Sequence, residues 1–84
     1  GIDMQAVRTR LMAIPHVHDL HDQHTWTLDG NFVVHTVHIV VEDVDQHQAL
    51  DIKCKAREEL KALGIDHATI EIESVGEECA LTHH

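Results

Sequence analysis

Two runs of strand-forming residues joined by a tight turn constrain the fold more than any other feature of this sequence. Residues 17–28 and 32–41 are separated by Asp29, Gly30 and Asn31, and Asp-Gly between two such runs is a strong signal for a β-hairpin. The second run, FVVHTVHIVV, carries β-branched residues at both odd and even positions, which favours a strand with neighbours on both sides. The sequence therefore predicts an antiparallel pair whose second strand is central in a sheet.

Helical segments flank the predicted hairpin on both sides. Asp3 is a suitable N-cap for a helix over residues 4–13, which Pro15 ends. Asp45 and Gln48 have the spacing of a capping box that opens a second helix. The apolar residues at helical spacing in that second segment are Ala49, Ile52, Ala56, Leu60 and Leu63.

A third strand completes the fold prediction. Residues 68–74, ATIEIES, alternate apolar and polar side chains. The order α-β-β-α-β predicts an α+β, ferredoxin-like sandwich: a three-stranded mixed sheet with both helices on one face. The other face is left for solvent, a partner or ligands. We expect one domain over residues 1–76, followed at residues 77–84 by a flexible tail with acidic, Cys and His residues.

The charge of the chain excludes some partners and favours others. The net charge is -9, from 15 Asp and Glu against 6 Lys and Arg, so phosphate backbones are repelled and nucleic-acid binding is not expected. Anionic lipid is disfavoured for the same reason, whereas divalent cations are attracted. The chain has no HExxH, GxSxG or Gly-rich phosphate loop, and we expect no enzymatic activity.

Strand alternation sorts the polar residues between the two faces of the sheet. Ile70 and Ile72 suit the face that the helices cover, which places Glu71 and Glu73 on the open face. The same argument in the second strand places His38 on the open face. In the first strand, alternation puts His21 on the open face and predicts the following core set: Leu20, His24, Trp26 and Leu28.

Two histidines fit this alternation less well. His35 is expected inward or at the rim of the sheet, and His24 is an awkward core residue that a β-bulge would bring out. One imidazole or carboxylate on an open face is usually just solvated. The convergence of His21 and His38 with two Glu from three strands instead favours Zn²⁺, with Co²⁺ or Cd²⁺ also accepted. Cys79, in the tail, can complete such a site by folding back.

The quoted motifs also resemble a known family. HDQHTW at residues 21–26, the hairpin strands and GIDHATIEIES at residues 64–74 are similar to the cytoplasmic C-terminal domain of cation diffusion facilitator transporters, with the bacterial cobalt–zinc–cadmium resistance exporters as the nearest branch. The resemblance implies a covalently attached transmembrane transporter body and a homodimer that binds regulatory zinc. It also implies a soluble domain on the cytoplasmic side of the bacterial inner membrane.

The resemblance carries ligands onto particular positions of this sequence. The two His of the family's first motif fall on His21 and His24, the hairpin His on His38, and the last-strand acidic ligand on Glu73. One subgroup has His at the position of Glu71, and another ends in a CxxC pair. Alternation and resemblance together predict these metal-site residues: His21, His38, Glu73, Glu71, Cys79 and His24.

Three functions are compatible with this pattern. The leading hypothesis is a regulatory, zinc-sensing and dimerisation domain of a divalent-cation efflux transporter. The alternative is a free-standing soluble zinc-binding protein that acts as a buffer or metallochaperone. A purely structural dimerisation module is the third, and it predicts no metal binding.

Overall fold

The computed structural model describes residues 2–75. Two helices and three strands follow one another in the predicted order, with bounds close to those expected. They are α1 Met4–Met12, β1 Val17–Leu28, β2 Phe32–Val41, α2 Gln46–Ala62 and β3 His67–Ser74. The predicted α+β class and the α-β-β-α-β order are confirmed. No helix within residues 2–75 has both the length and the apolar character needed to cross a membrane.

Side-chain caps fix where both helices begin. The Asp3 carboxylate accepts the backbone N–H of Gln5 at 2.9 Å, which satisfies a donor that the first turn of α1 leaves unpaired. The predicted capping box of α2 is present. Asp45 accepts the N–H of Gln48 at 2.8 Å, and the Gln48 side chain accepts the N–H of Asp45 at 3.0 Å. Local sequence signals therefore determine these ends.

The three strands form one mixed sheet in the order β1-β2-β3. The hairpin makes β1 and β2 antiparallel, and the crossover through α2 makes β3 parallel to β2. The central position predicted for β2 is therefore correct. The helices and the inward side of the sheet share one hydrophobic core, whose members include Val7, Leu11, Val37, Ile39, Val41, Ile52, Ala56, Leu60 and Ile70.

A bulge in β1 changes which side chains share a face. His21 pairs with His38, but the next pair is His24 with Thr36, so β1 has one residue more than β2 over this interval. Asp22, inside the interval, has a left-handed backbone with φ 52°, a conformation that Asp tolerates better than most residues. Because cross-strand partners share a face, the bulge brings His24 to the open face with His21 and His38.

Because of this bulge, part of the core that was predicted from the sequence is wrong. Trp26 and Leu28 were predicted to be buried, but their side chains are 44% and 50% exposed. Of the four residues assigned to that face of β1, Leu20, which precedes the bulge, is the one that is buried. The physical reason is that an extra residue in a strand reverses the alternation for every residue that follows it.

Beyond the bulge, Thr25 takes the inward position and contacts a buried histidine. His35 is fully buried, and its Nδ1 lies 2.6 Å from Thr25 Oγ1. Its Nε2 has no hydrogen-bond partner within residues 2–75. Burial lowers the pKa of His35 because it penalises the charged imidazolium, and the nearby charge of His24 lowers it further. The fold therefore holds His35 as a neutral imidazole.

Candidate metal centre

The open face of the sheet gathers the polar side chains around the middle of β2. His38 is the cross-strand partner of His21 on β1 and of Glu71 on β3. Glu73 is two residues further along β3 and lies on the same face, because alternate residues of a strand share a face. The hairpin and the parallel crossover together place residues that are distant in sequence next to one another.

The closest contact of this face joins His38 and Glu73. Nδ1 of His38 lies 2.5 Å from Oε1 of Glu73. The Glu73 residue is 8% exposed, and a carboxylate withdrawn from water needs a partner to offset its lost hydration. An ionised carboxylate can only accept hydrogen bonds, so the imidazole N–H donates to it. His38 remains accessible, with 37% of its side chain exposed.

Asp22 is the functional candidate that the sequence analysis missed. Its Oδ2 lies 3.8 Å from Nδ1 of His38. The carboxylates of Asp22 and Glu73 therefore both approach the same imidazole nitrogen. Simple alternation places Asp22 on the helix side, opposite to His21, and the bulge reverses this. The signal that could have identified it is the bulge proposed for His24, which also moves the residue within it.

His21 belongs to a second pair on the same face. Its Nε2 lies 3.3 Å from Oδ2 of Asp19. The pKa of Asp19 is lowered, first because its carboxylate accepts the backbone N–H of Leu20 at 2.8 Å, and then through His21 and Arg8. Asp19 is consequently an ionised carboxylate beside His21 at neutral pH.

The remaining predicted site residues are less closely connected. His24 lies on the open face beyond the bulge, opposite Thr36, and is exposed. Glu71 is exposed beside His38 in the register of the sheet. Cys79 lies outside the described residues. The structure thus brings His38 into contact with Glu73 and aligns it with His21 and Glu71.

The donors meet in pairs and do not form a closed coordination sphere. Within residues 2–75, no group of three or more His, Cys, Asp or Glu side chains is already arranged around one point. Two ligands of a tetrahedral Zn²⁺ lie about 3.3 Å apart, given metal–ligand distances of about 2 Å. The 2.5 Å contact of His38 with Glu73 must therefore lengthen, whereas the 3.8 Å separation from Asp22 must shorten slightly. The donor chemistry fits Zn²⁺, and side chains must move to complete the sphere.

Comparison with known families shows which family the chain belongs to. A family model described as the cytoplasmic domain of cation efflux proteins matches residues 1–75. The chain belongs to this family. The resemblance inferred from the motifs of β1, the hairpin and β3 is therefore confirmed.

Solved structures agree with this assignment. The metal-bound C-terminal domain of the CzcD transporter from Cuprividus metallidurans is 27% identical, with a TM-score of 0.75, and the match covers 86% of this chain and 99% of that one. The metal-bound C-terminal domain of the CzcD transporter from Thermotoga maritima shares the fold, with a TM-score of 0.77 at 22% identity over 87% of each chain.

The curated relative is much longer than this chain. The human calcium/manganese antiporter SLC30A10 is 31% identical over 75 residues, which are 89% of this chain and 15% of that protein. The chain is therefore a cytoplasmic domain of the cation efflux family, and it corresponds to a small part of its longer relatives.

Proposed function

We propose that this chain is the regulatory, zinc-sensing and dimerisation domain of a divalent-cation efflux transporter. The observation that carries the proposal is the pair of His38 and Glu73 on the open face of the sheet, 2.5 Å apart, with a second carboxylate, Asp22, at 3.8 Å from the same nitrogen. Family membership and the metal-bound CzcD domains support it.

The proposed ligands are His38, Glu73 and His21, with the fourth place taken by water, Glu71 or Cys79. His24 and Asp22 are further donors on the same face. The hydrogen bond from Nδ1 of His38 to Glu73 competes with zinc, because an imidazole nitrogen must lose its proton before it can bind a metal. We further propose a domain over residues 1–76 and a tail, 77–84, that supplies Cys79.

Imidazole donors decide which cation the site favours. Hard cations such as Ca²⁺ take oxygen ligands almost entirely, whereas a mixture of imidazole and carboxylate suits Zn²⁺ and accepts Co²⁺ or Cd²⁺. The human relative is named for calcium and manganese. That name describes the whole antiporter, and the open face of this domain has at least two imidazoles, His21 and His38, in cross-strand register.

Zinc is proposed to act by closing a symmetric homodimer. Two copies that each carry a charge of -9 repel one another, most strongly where Glu71 and Glu73 approach the partner. Each Zn²⁺ adds two positive charges at this face, and screened interactions of about 1 kcal/mol each, acting together, shift an open–closed equilibrium. The matching family model is named for a dimer, which supports this arrangement. In the intact exporter, closure would bias the attached body toward transport.

Calorimetric titration with Zn²⁺ tests the site. His38→Ala and Glu73→Ala are expected to lose the site or weaken it strongly. His47→Ala is the matched control, because it also removes an exposed imidazole, but from α2 on the other side of the sheet. Parent-like binding by both site variants would refute the assignment.

Small-angle scattering tests whether zinc closes the dimer. A dimer whose radius is unchanged by saturating zinc would refute the sensing step.

A further inference from the structure

The positively charged residues of the chain are confined to its helices. The sequence has 6 Lys and Arg against 15 Asp and Glu. Helices α1 and α2 contain all 6 of these cations and only 3 of the carboxylates, which are Asp51, Glu58 and Glu59. The remaining acidic residues belong to the strands, the helix caps, the connecting segments and the sequence after residue 75. The net charge of -9 therefore conceals a pair of helices that is itself positively charged.

Half of these cations have no acidic partner. Three of them form ion pairs with nearby carboxylates, and these pairs are Arg8–Asp19, Arg10–Glu59 and Lys55–Asp51. The other three, Lys53, Arg57 and Lys61, form no ion pair within residues 2–75. They follow one another at intervals of four residues on α2, so their side chains lie along one stripe of the helix surface. We call these three residues the cationic stripe.

The cationic stripe lies on the flank of α2 that faces away from α1. On the opposite flank, Lys55 and Glu59 line a groove together with Arg10 of α1. Leu50 shares the flank of the stripe, because it precedes Lys53 by three residues, and it is 61% exposed. Anionic lipid attracts Lys and Arg electrostatically, and an exposed apolar side chain beside them adds to the binding. This flank therefore combines the two features that an anionic membrane surface binds.

The stripe leads to the end of α2 beside which the chain enters the domain. A Cβ added at Gly64, just past α2, would lie 3.3 Å from Cδ1 of Ile2. The residues that precede α1 are therefore next to the C-terminal end of α2, about one turn from Lys61. In the proposed function the membrane body precedes α1, as the description of the CzcD domain as C-terminal supports. The cytoplasmic leaflet, which carries anionic lipid, is then close to the Lys61 end of the stripe.

We propose that the cationic stripe docks on anionic phospholipid of the cytoplasmic leaflet around the transporter. The proposal rests on the proposed function, which supplies the attached membrane body. The acidic open face does not prevent this contact, because it lies across the sheet from α2. A helix with its side chains is about 10 Å thick, and the Debye length at physiological salt is about 8 Å. The carboxylates of the open face are therefore screened from lipid that touches α2, and that face stays available to zinc.

Photo-crosslinking in the intact transporter tests the docking. A diazirine amino acid replaces Leu50 in transporter reconstituted into phosphatidylcholine vesicles with or without phosphatidylglycerol, and mass spectrometry detects the lipid adducts. We expect phosphatidylglycerol adducts whose yield falls at high salt. Combining Lys53→Gln, Arg57→Gln and Lys61→Gln is expected to lower this yield by at least about fivefold, because each Lys or Arg near an anionic surface contributes about that factor to binding.

A matched variant separates the stripe from the total charge. Combining Arg8→Gln, Arg10→Gln and Lys55→Gln removes the same number of charges, but from cations that already have carboxylate partners. This variant is expected to keep the parent's yield of phosphatidylglycerol adducts. Lys53→Arg with Lys61→Arg, which preserves the charge of the stripe, is expected to keep it as well.

Three outcomes refute the docking proposal. They are equal adduct yields from the two triple Gln variants, adducts of the two lipids in their mixing ratio, and crosslinks from position 50 to the membrane body or a second copy in place of lipid. The zinc titration of the 84-residue chain separates this failure from that of the proposed function. Zinc binding without phosphatidylglycerol adducts refutes the docking alone, and adducts without zinc binding refute the sensing role alone.

Discussion

The buried histidine makes the stability of the domain depend on pH in a defined direction. His35 is fully buried, with its Nε2 unpartnered within residues 2–75, and its pKa is lowered by burial from the ordinary value of 6.5. The unfolded chain therefore binds a proton at this residue at a higher pH than the folded chain does. Stability contributed by the neutral form is present above pH 6.5 and is lost as the pH falls below that value.

The change in the free energy of unfolding is limited by the binding of a single proton. A single group that is protonated in the unfolded state and neutral in the folded state changes the free energy of unfolding by at most about 1.4 kcal/mol per pH unit. Urea unfolding at pH 7.5, 6.5 and 5.5, with a chelator present to remove metal, measures this slope. Between pH 6.5 and 5.5 the loss from His35 is expected to be at most about 1 kcal/mol, because at pH 6.5 the residue is only half protonated in the unfolded chain.

The substitution His35→Gln isolates this contribution from the other nine histidines, since the chain has 10 in total. Gln keeps a polar group for Thr25 and cannot titrate in this range, so the variant is expected to lose less stability than the parent on acidification. His47→Gln, on the exposed first turn of α2, is the control and should retain the parent's slope. Identical slopes for the parent and His35→Gln would refute the argument.

Three further predictions concern the metal site. Zinc affinity is expected to fall below about pH 6, because imidazole must be deprotonated to bind zinc; calorimetry that gives equal affinities from pH 7 to 5 would exclude imidazole ligands. Asp22→Asn is expected to weaken zinc binding by about 10- to 100-fold, the range typical of residues that support a metal site, whereas Asp29→Asn in the hairpin turn should leave it unchanged. Without metal, Glu73→Ala is expected to lower the free energy of unfolding by about 0.5–1.5 kcal/mol, because it removes a hydrogen bond to His38, whose partly exposed imidazole water can reach; chemical denaturation with unaltered stability would contradict this.

The elements of the fold could be predicted because their signals are local. The caps at Asp3 and Asp45 satisfy backbone donors within their own first turn, and Asp29-Gly30 specifies a turn over a few residues. The alternation of β3 correctly placed Glu73 on the open face, because that strand pairs with β2 without any shift in register. Where a structural feature depends only on residues that are close together in the sequence, its prediction from the sequence is accurate.

The distal half of β1 could not be predicted because its register depends on another strand. Alternation counted forward from Leu20 places Trp26 in the core, and one extra residue between His21 and His24 reverses this. Nothing in the local sequence fixes the left-handed backbone of Asp22, which Asp allows but does not require. For the same reason Asp22 was not recognised as a candidate ligand. Alternation alone placed His24 on the helix-facing side, and the bulge proposed to bring it out is present.

The most direct test of the proposed sensing role locates the metal itself. Crystals of the chain grown with Zn²⁺ allow an anomalous difference map at the zinc absorption edge. We expect a peak about 2.0–2.2 Å from an imidazole nitrogen of His38 and from a carboxylate oxygen of Glu73, with the contact between these residues longer than its present 2.5 Å. A map in which zinc occupies another part of the surface, such as the pair of His18 and Glu42, and leaves His38 hydrogen-bonded to Glu73 would contradict the proposed zinc site.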